Sequence, residues 1–255
     1  MRKDYHMHPA VLARPELFPE FVEQAKIKGI QEICITDHMP LSISAAKDRI
    51  YSGKVGEYCL FVREVAEKYK DEISIKCGIE IDYHPDFIGE IEQVLSQGQF
   101  DYILGSSHMH IFTKNPENYT YNDFAKMALE NSIKAVETGY FSAVSHLDMY
   151  RAAFFKLPLV DDGYDPLIHK DLIKELLLKI KEKDMYLEIN PHLAEGRNDD
   201  LFYTYPQAPI VAWALENGLK FSYGSDAHVP KSVGALLDKL ETHPVYKKAL
   251  ENWEK

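Results

Sequence analysis

Seven short apolar runs rich in β-branched residues punctuate the chain: Asp4 to His8, Glu32 to Thr36, Ile73 to Asp82, Tyr102 to Ser106, Ser142 to His146, Met185 to Asn190 and Lys220 to Tyr223. Each is bounded by polar or glycine-containing turns, which predicts strands. Most are separated by stretches of helical period. Phe18, Phe21, Val22 and Ala25 fall at i, i+3, i+4 and i+7, one apolar face of a helix. Leu167, Leu172, Leu176, Leu177 and Ile180 make a similar stripe among lysines and glutamates. Gly29, Gly139 and Gly218 each end a helical stretch just before a strand, where a left-handed closing residue is expected. Strands alternating with helices predict parallel βαβ units, and strands with few charges are buried on both faces. No linker, internal repeat or low-complexity tract divides the chain. The expectation is a single α/β domain spanning residues 1–255. Two longer insertions, Met39 to Gly56 and Met149 to Asp165, follow strands on one rim; they either wall a pocket there or are plain connections.

A length of 255 residues is normal for one α/β barrel. Lysine plus arginine number 29 against 40 acidic residues, a formal charge of −11. That balance argues against nucleic acid as a partner, but not against a small phosphorylated substrate, because bound cations supply local positive charge. The three cysteines, Cys34, Cys59 and Cys77, are dispersed without a Cys-x-x-Cys pair, and Cys34 and Cys77 lie in strand-like runs as buried thiols. That suits a reducing compartment. No signal-like apolar segment opens the chain, and no apolar stretch approaches the roughly 20 residues that cross a bilayer. The expectation is a cytoplasmic protein with no membrane partner.

The histidines change this picture most. His6, His8, His38, His108, His146 and His228, with Glu80 and Asp226, all fall at or near the ends of the predicted strands. In an α/β barrel those ends share one rim, and a ring of imidazole and carboxylate donors there is what a multinuclear metal centre needs. In His6-Met7-His8, alternate strand residues face one side, so both imidazoles reach the same space. Thr36-Asp37-His38 offers His38 as ligand, with Asp37 orienting a ligand or capping the next turn. Glu80 stands between isoleucines and is costly to bury unpaired; a carboxylate bridging two cations escapes that cost. Asp82 lies on the same strand face or is solvated at the strand end. His108 is the ligand candidate of Ser107-His108-Met109-His110, and His110 a substrate contact or bystander. His146 is the candidate in Ser145-His146-Leu147-Asp148; Asp148 either bonds a neighbouring ligand or caps the next segment. Gly224-Ser225-Asp226-Ala227-His228 supplies an i, i+2 pair, and Gly224 permits close backbone approach. His192 is a substrate contact or an ordinary loop histidine. Arg197, after a Glu195-Gly196 turn, can grip a phosphoryl group through its planar fork or pair with Asp199 or Asp200. Tyr205-Pro206 reads as a helix start whose free N–H groups add anion affinity.

His6-Met-His8, Thr36-Asp37-His38, Gly78-Ile-Glu80, Ser107-His108, Ser145-His146-Leu-Asp148 and Gly224-Ser-Asp226-Ala-His228, taken in order, resemble the successive motifs of the PHP (polymerase and histidinol phosphatase) superfamily, from His6 to Gly234. Glu188-Ile-Asn190, with Arg197 and Tyr205-Pro206, is similar to its histidinol-phosphatase branch. The resemblance implies a distorted (β/α)7 barrel with two or three divalent metal ions, Zn, Mn or Fe, at its C-terminal rim. It implies that His6, His8, Glu80 and Asp226 hold one ion, that Glu80, His108 and His146 hold a second, and that His38 and His228 belong to a third site. Arg14 stands where a further histidine usually follows the first pair. The third site is therefore absent, weak, or completed by another group such as Glu16 or a water, while Arg14 itself can replace the cation and touch phosphate.

These features together imply hydrolysis of a phosphomonoester by a metal-bridging hydroxide. Glu80 and Asp226 would be catalytic, and Arg197 would both bind the phosphoryl group and stabilise its developing charge. Arg14, His110 and His192 are the further substrate contacts. The resemblance alone implies the substrate, histidinol phosphate, in histidine biosynthesis. The competing readings are a phosphoesterase for another small substrate (a nucleotide, sugar phosphate or phosphotyrosine), a non-catalytic metal-binding regulatory domain, and C–N bond hydrolysis. Against the last, no lysine stands at a strand end.

Overall fold

Parallel pairing organises the whole sheet of the computed structural model, which describes residues 1–39, 52–165 and 168–253. The strands are β1 (Arg2–Asp4), β2 (Ile30–Ile35), β3 (His38–Met39), β4 (Ser74–Asp82), β5 (Tyr102–Ser106), β6 (Ala143–Val144), β7 (Tyr186–Ile189) and β8 (Lys220–Tyr223). Their order is β1-β2-β4-β5-β6-β7-β8, with β3 also on β4. β3 continues β2: Glu32 faces Ser74 and His38 faces Glu80 in the same register, across the break at Thr36-Asp37. The sheet therefore has seven staves.

Its two edges meet. Tyr5 N donates to Tyr223 O at 2.9 Å, Asp226 N to His6 O at 2.7 Å and His8 N to Ala227 O at 2.8 Å, and Met7 bridges Ala227 in parallel. The result is a nearly closed barrel, a distorted (β/α)7 fold of one domain, as the family resemblance implies; its parallel βαβ units are those of the alternating pattern. Asp4 fastens the seam. It is fully buried and accepts hydrogen bonds from Ser225 N and Gly234 N, each at 2.9 Å.

Helices α1 (Phe18–Ile27), α2 (Val55–Tyr69), α3 (Ile88–Gln97), α4 (Met109–Phe112), α5 (Tyr121–Thr138), α6 (Tyr150–Lys156), α7 (Lys170–Glu182), α8 (His192–Glu195), α9 (Ala208–Glu216), α10 (Leu237–Leu240) and α11 (Pro244–Trp253) fill the connections. The predicted stripe of α1 is buried at Phe18, Phe21, Val22 and Ala25. That of α7 is buried at Leu176, Leu177 and Ile180, together with Ile173; Leu167 lies outside the described residues. Gly29, Gly139 and Gly218 take φ of +68°, +70° and +70°, the left-handed closing conformation the pattern requires. Inside the barrel, Tyr102 OH donates to or accepts from Ser222 Oγ at 2.8 Å. β5 and β8 are not neighbours, so this bond crosses the lumen and plugs it below the rim. All three cysteines are buried free thiols. No described helix is long and apolar enough to cross a membrane.

Three expected strands differ from the prediction. The first ladder pairs Arg2–Asp4 and overlaps the expected Asp4–His8 only at Asp4, while Ser142–His146 contracts to Ala143–Val144 and Met185–Asn190 to Tyr186–Ile189. In the fifth stave the chain leaves the sheet before His146, which has φ +22°. The second insertion carries α6 and does wall a cleft over the rim. Residues 40–51 of the first insertion lie outside the described residues.

Replacing Asp4 with Ala leaves the buried N–H groups of Ser225 and Gly234 without this acceptor and removes the longer bond from His6 N at 3.4 Å. The expected loss is about 3 kcal/mol in urea denaturation, with an unchanged far-ultraviolet spectrum at low denaturant.

Candidate metal centre

The site assembles because each stave ends by aiming a side chain at one point. His6 and His8 alternate on the extension of β1, and their Nε2 atoms lie 2.9 Å apart. His38 comes from β3 and Glu80 from β4 beside it; His108 follows β5, His146 follows β6, and Asp226 and His228 follow β8. Close approach is needed at Gly224, where a Cβ would lie 2.1 Å from Glu188 Oε1 and 2.3 Å from His6 Cβ. All eight residues expected as ligands converge, from an inner group of buried side chains to His228, whose side chain is 44% exposed.

Glu80 is the centre. Its Oε2 lies 2.6 Å from His38 Nδ1 and 3.5 Å from the Nε2 atoms of both His6 and His8. Its Oε1 lies 2.9 Å from His146 Nε2 and 4.0 Å from His108 Nε2, and accepts a short hydrogen bond from Ser106 Oγ. The two oxygens thus face two different sets of imidazoles, the arrangement a bridging carboxylate needs. Asp226 Oδ1 lies 3.2 Å from His8 Nε2 and 3.8 Å from His6 Nε2.

Three rings have one nitrogen committed to an acceptor, which leaves a lone pair on the other. His6 Nδ1 donates to Glu188 Oε1 at 2.6 Å, His108 Nδ1 to Asp82 Oδ1, and His228 Nδ1 to the Asp226 carbonyl at 2.9 Å. In each case Nε2 is the nitrogen left for a cation. Glu188 also accepts from His146 N at 2.7 Å and Asn190 Nδ2 at 3.3 Å.

The electrostatics favour cations. Burial alone would depress the His6 imidazole, yet the charges of Glu188, Asp226 and Glu80 hold it well above its ordinary value. Burial likewise works against ionised Glu80 and Asp226, but His6 and neighbouring histidines hold both well below the ordinary carboxylate range. A pocket that draws a proton onto a buried imidazole also attracts a divalent ion. Among the described residues, five groupings of three bring their ligand atoms within 4.8 Å of one another: His6-His8-Glu80, Glu80-His108-His146, His8-His38-His228, His6-His146-Asp226 and His192-Asp226-His228. His8 Nδ1 is buried and makes no hydrogen bond. Mixed imidazole and carboxylate donors with such an orphaned buried nitrogen fit divalent metals.

Other expectations resolve differently. Asp82 is buried and holds His108 rather than meeting solvent. Asp37 accepts from Ala10 N and Val11 N, each at 2.8 Å, so it clamps the turn after His8 instead of capping its own. Burial pushes its carboxyl up to about 6, against those bonds and the charges of His38 and Arg14. Arg14 is half-buried and is not among the side chains lining the cleft; Glu16 is exposed. Asp148 pairs with Arg151 Nε at 2.9 Å and accepts from Gln207 N. Tyr205-Pro206 does not start a helix. Tyr205 exchanges backbone bonds of 2.6 and 2.7 Å with Asn190, and α9 begins only at Ala208. Arg197 does not pair with Asp199 or Asp200; Asp199 pairs with Lys239 at 3.2 Å, and the guanidinium lies 3.9 Å over the Phe155 ring and 4.9 Å from that of Tyr203.

Above the cluster lies a cleft of about 220 Å³, lined by His38, His108, His110, Met149, Lys156, His192, Asp226 and His228. A chamber of about 330 Å³ adjoins it, sharing Met149, Lys156 and His192 and reaching Arg197. Sequence reasoning did not single out Glu188 as the holder of His6, nor Lys156. Glu188 carried a signal, a lone acid between Leu187 and Ile189; Lys156 carried none.

A family model described as the PHP domain matches residues 4–192. A probable histidinol-phosphatase of Deinococcus radiodurans is 28% identical over 243 residues, covering 91% of this chain and 88% of that protein. A histidinol-phosphatase of Lactococcus lactis is 24% identical over 250 residues, covering 94% and 88%. The crystal structure of histidinol phosphate phosphatase from Lactococcus lactis, complexed with zinc, L-histidinol and phosphate, has a TM-score of 0.75 at 21% identity, over 97% of this chain and 93% of that one. This last likeness shows the barrel.

Glu188→Gln is expected to weaken zinc binding about 10–100-fold while the fold persists. Competition with a chromogenic chelator measures this; unchanged affinity would show that the contact with His6 does not orient the ring.

Proposed function

The chain belongs to the PHP domain family, and on that premise we propose that it is a metal-dependent phosphatase that hydrolyses histidinol phosphate. The observation that carries the proposal is the division of Glu80 between two donor sets. His6, His8, Glu80 and Asp226 would hold one ion, Glu80, His108 and His146 a second, with His38 and His228 directed to a third. Ions held there supply Lewis acidity towards a phosphoryl group and an acidified water.

The chain's own groups do the rest. Glu188, Asp82 and the Asp226 carbonyl keep three imidazole lone pairs turned to the cleft floor. The Arg197 guanidinium, stacked on Phe155 and near Tyr203, is pre-oriented, and its in-plane N–H edge stays available for phosphoryl oxygens. Lys156 adds a positive charge where the two chambers join. A departing alkoxide needs a proton, and His110 lines the cleft. The cleft and chamber suit a small molecule in volume. The choice of histidinol phosphate is supported by the named relatives and by the Lactococcus structure that holds histidinol and phosphate.

A phosphate-release panel tests this. L-histidinol phosphate is expected to exceed phosphotyrosine, sugar phosphates and nucleotides in kcat/KM by about 100-fold, the scale set by placing one polar group correctly or leaving it unpaired. Preference for a nucleotide or a diester would reject it. Glu80→Gln is expected to abolish turnover and lower metal content together. Arg197→Ala should raise KM about tenfold or more with metal content unchanged.

A further inference from the structure

We propose that His192 is a metal ligand, completing an outermost ion site with Asp226 and His228. The inference rests on the reading of the rim as a metal centre and extends it to a residue that the sequence offers only as a substrate contact or loop histidine.

The placement is built, not incidental. Asn190, at the end of the sixth stave, ties three groups together through one side-chain amide. Its Nδ2 donates to Asp226 Oδ2 at 3.4 Å and to Glu188 Oε2 at 3.3 Å, and its Oδ1 accepts from His192 N at 3.0 Å. The backbone of His192 is thereby fixed relative to the Asp226 carboxylate. His192, Asp226 and His228 each present a ligand atom, all within 4.8 Å of one another, and the His192 and His228 ring centres are 5.8 Å apart.

The nitrogens are available. His228 Nδ1 is spent on the Asp226 carbonyl, so Nε2 carries the lone pair. That Nε2 lies 3.3 Å from His38 Nε2, close to the edge of about 3.3 Å expected for two nitrogens on one tetrahedral zinc. His192 Nδ1 is buried with no hydrogen bond. An imidazole brought this near a carboxylate and a second imidazole, with an unpartnered nitrogen, matches a ligand better than a side chain that merely lines a cleft.

Zinc stoichiometry decides the matter. The chelator-stripped chain is titrated with Zn²⁺, desalted and counted by elemental analysis, with affinities from chelator competition. His192→Gln is expected to hold one ion fewer per chain, or to bind the weakest ion roughly tenfold or more less tightly, with the tighter ions untouched. His228→Gln should weaken the same ion, and the double variant should lose no additional one. His192→Asp, which keeps a donor atom, should retain the ion and also shows whether the backbone tolerates substitution there. Equal stoichiometry and affinities in wild type and His192→Gln would overturn the assignment. A wild-type chain that takes up no zinc would instead overturn the metal-centre reading beneath it.

Discussion

A carboxylate that is 1% exposed and flanked by isoleucines must find its compensation inside the protein, and for Glu80 that comes from a surrounding set of imidazoles and the Ser106 hydroxyl. Alone at that depth it would take up a proton. Instead it is held ionised, and the groups that hold it arrive from different staves: His6 from the first, His38 from the second, His146 from the fifth. The balance exists only if the barrel closes. The bonds joining residues 5–8 to residues 223–227, and the Asp4 carboxylate behind them, are therefore as much part of the site as its imidazoles. A seam that opened would separate His6 from Asp226 and leave Glu80 facing an incomplete set.

Behind the rings stands a second set of acids and amides. Glu188 spans His6 and His146 N, Asp82 holds His108, and Asn190 joins Glu188 to Asp226. Two cluster residues, His146 and Asp226, take positive φ of +22° and +56°, conformations costly for residues with a Cβ. Both use their backbone N–H in the cluster's support, to Glu188 Oε2 and His6 O. The strained turns and the fixed acceptors belong to one arrangement, because the acceptors hold the backbone where the rings meet.

The ligand set was legible in the sequence because strand ends on one rim and the i, i+2 alternation of a strand are local rules. His6-Met7-His8 states its own geometry. What was not legible depends on contacts far apart in sequence. Asp82 sits at a strand end where solvent and burial are equally consistent with the pattern; only His108, delivered by the next stave, settles it. Glu188 shows as an acid in an apolar run, but its partner is 182 positions away. Tyr205-Pro206 carries a helix-start signal locally, and pairing with Asn190 overrides it. Arg14 marks a departure from a pattern, and its electrostatic influence on the buried Asp37 carboxyl could not be read from spacing.

The cleft reconciles an acidic protein with an anionic substrate. A net charge of −11 repels a phosphate dianion at a distance, but salt screens exposed charges beyond roughly 8 Å, so the groups lining the cleft decide. Lys156 and Arg197 stand around the adjoining chamber, and the imidazoles of the cluster form the floor. The other chamber lining, including Met149, Ala152, Leu193 and the Tyr205 ring, has little to offer a charge and much to offer an organic body. On the proposed reading, an anionic head would meet the floor and the Arg197 guanidinium, and its carbon skeleton would lie over Met149 and Leu193. Because Arg197 is already stacked, little side-chain freedom remains to be lost on binding, which favours recognition by position over recognition by bulk charge.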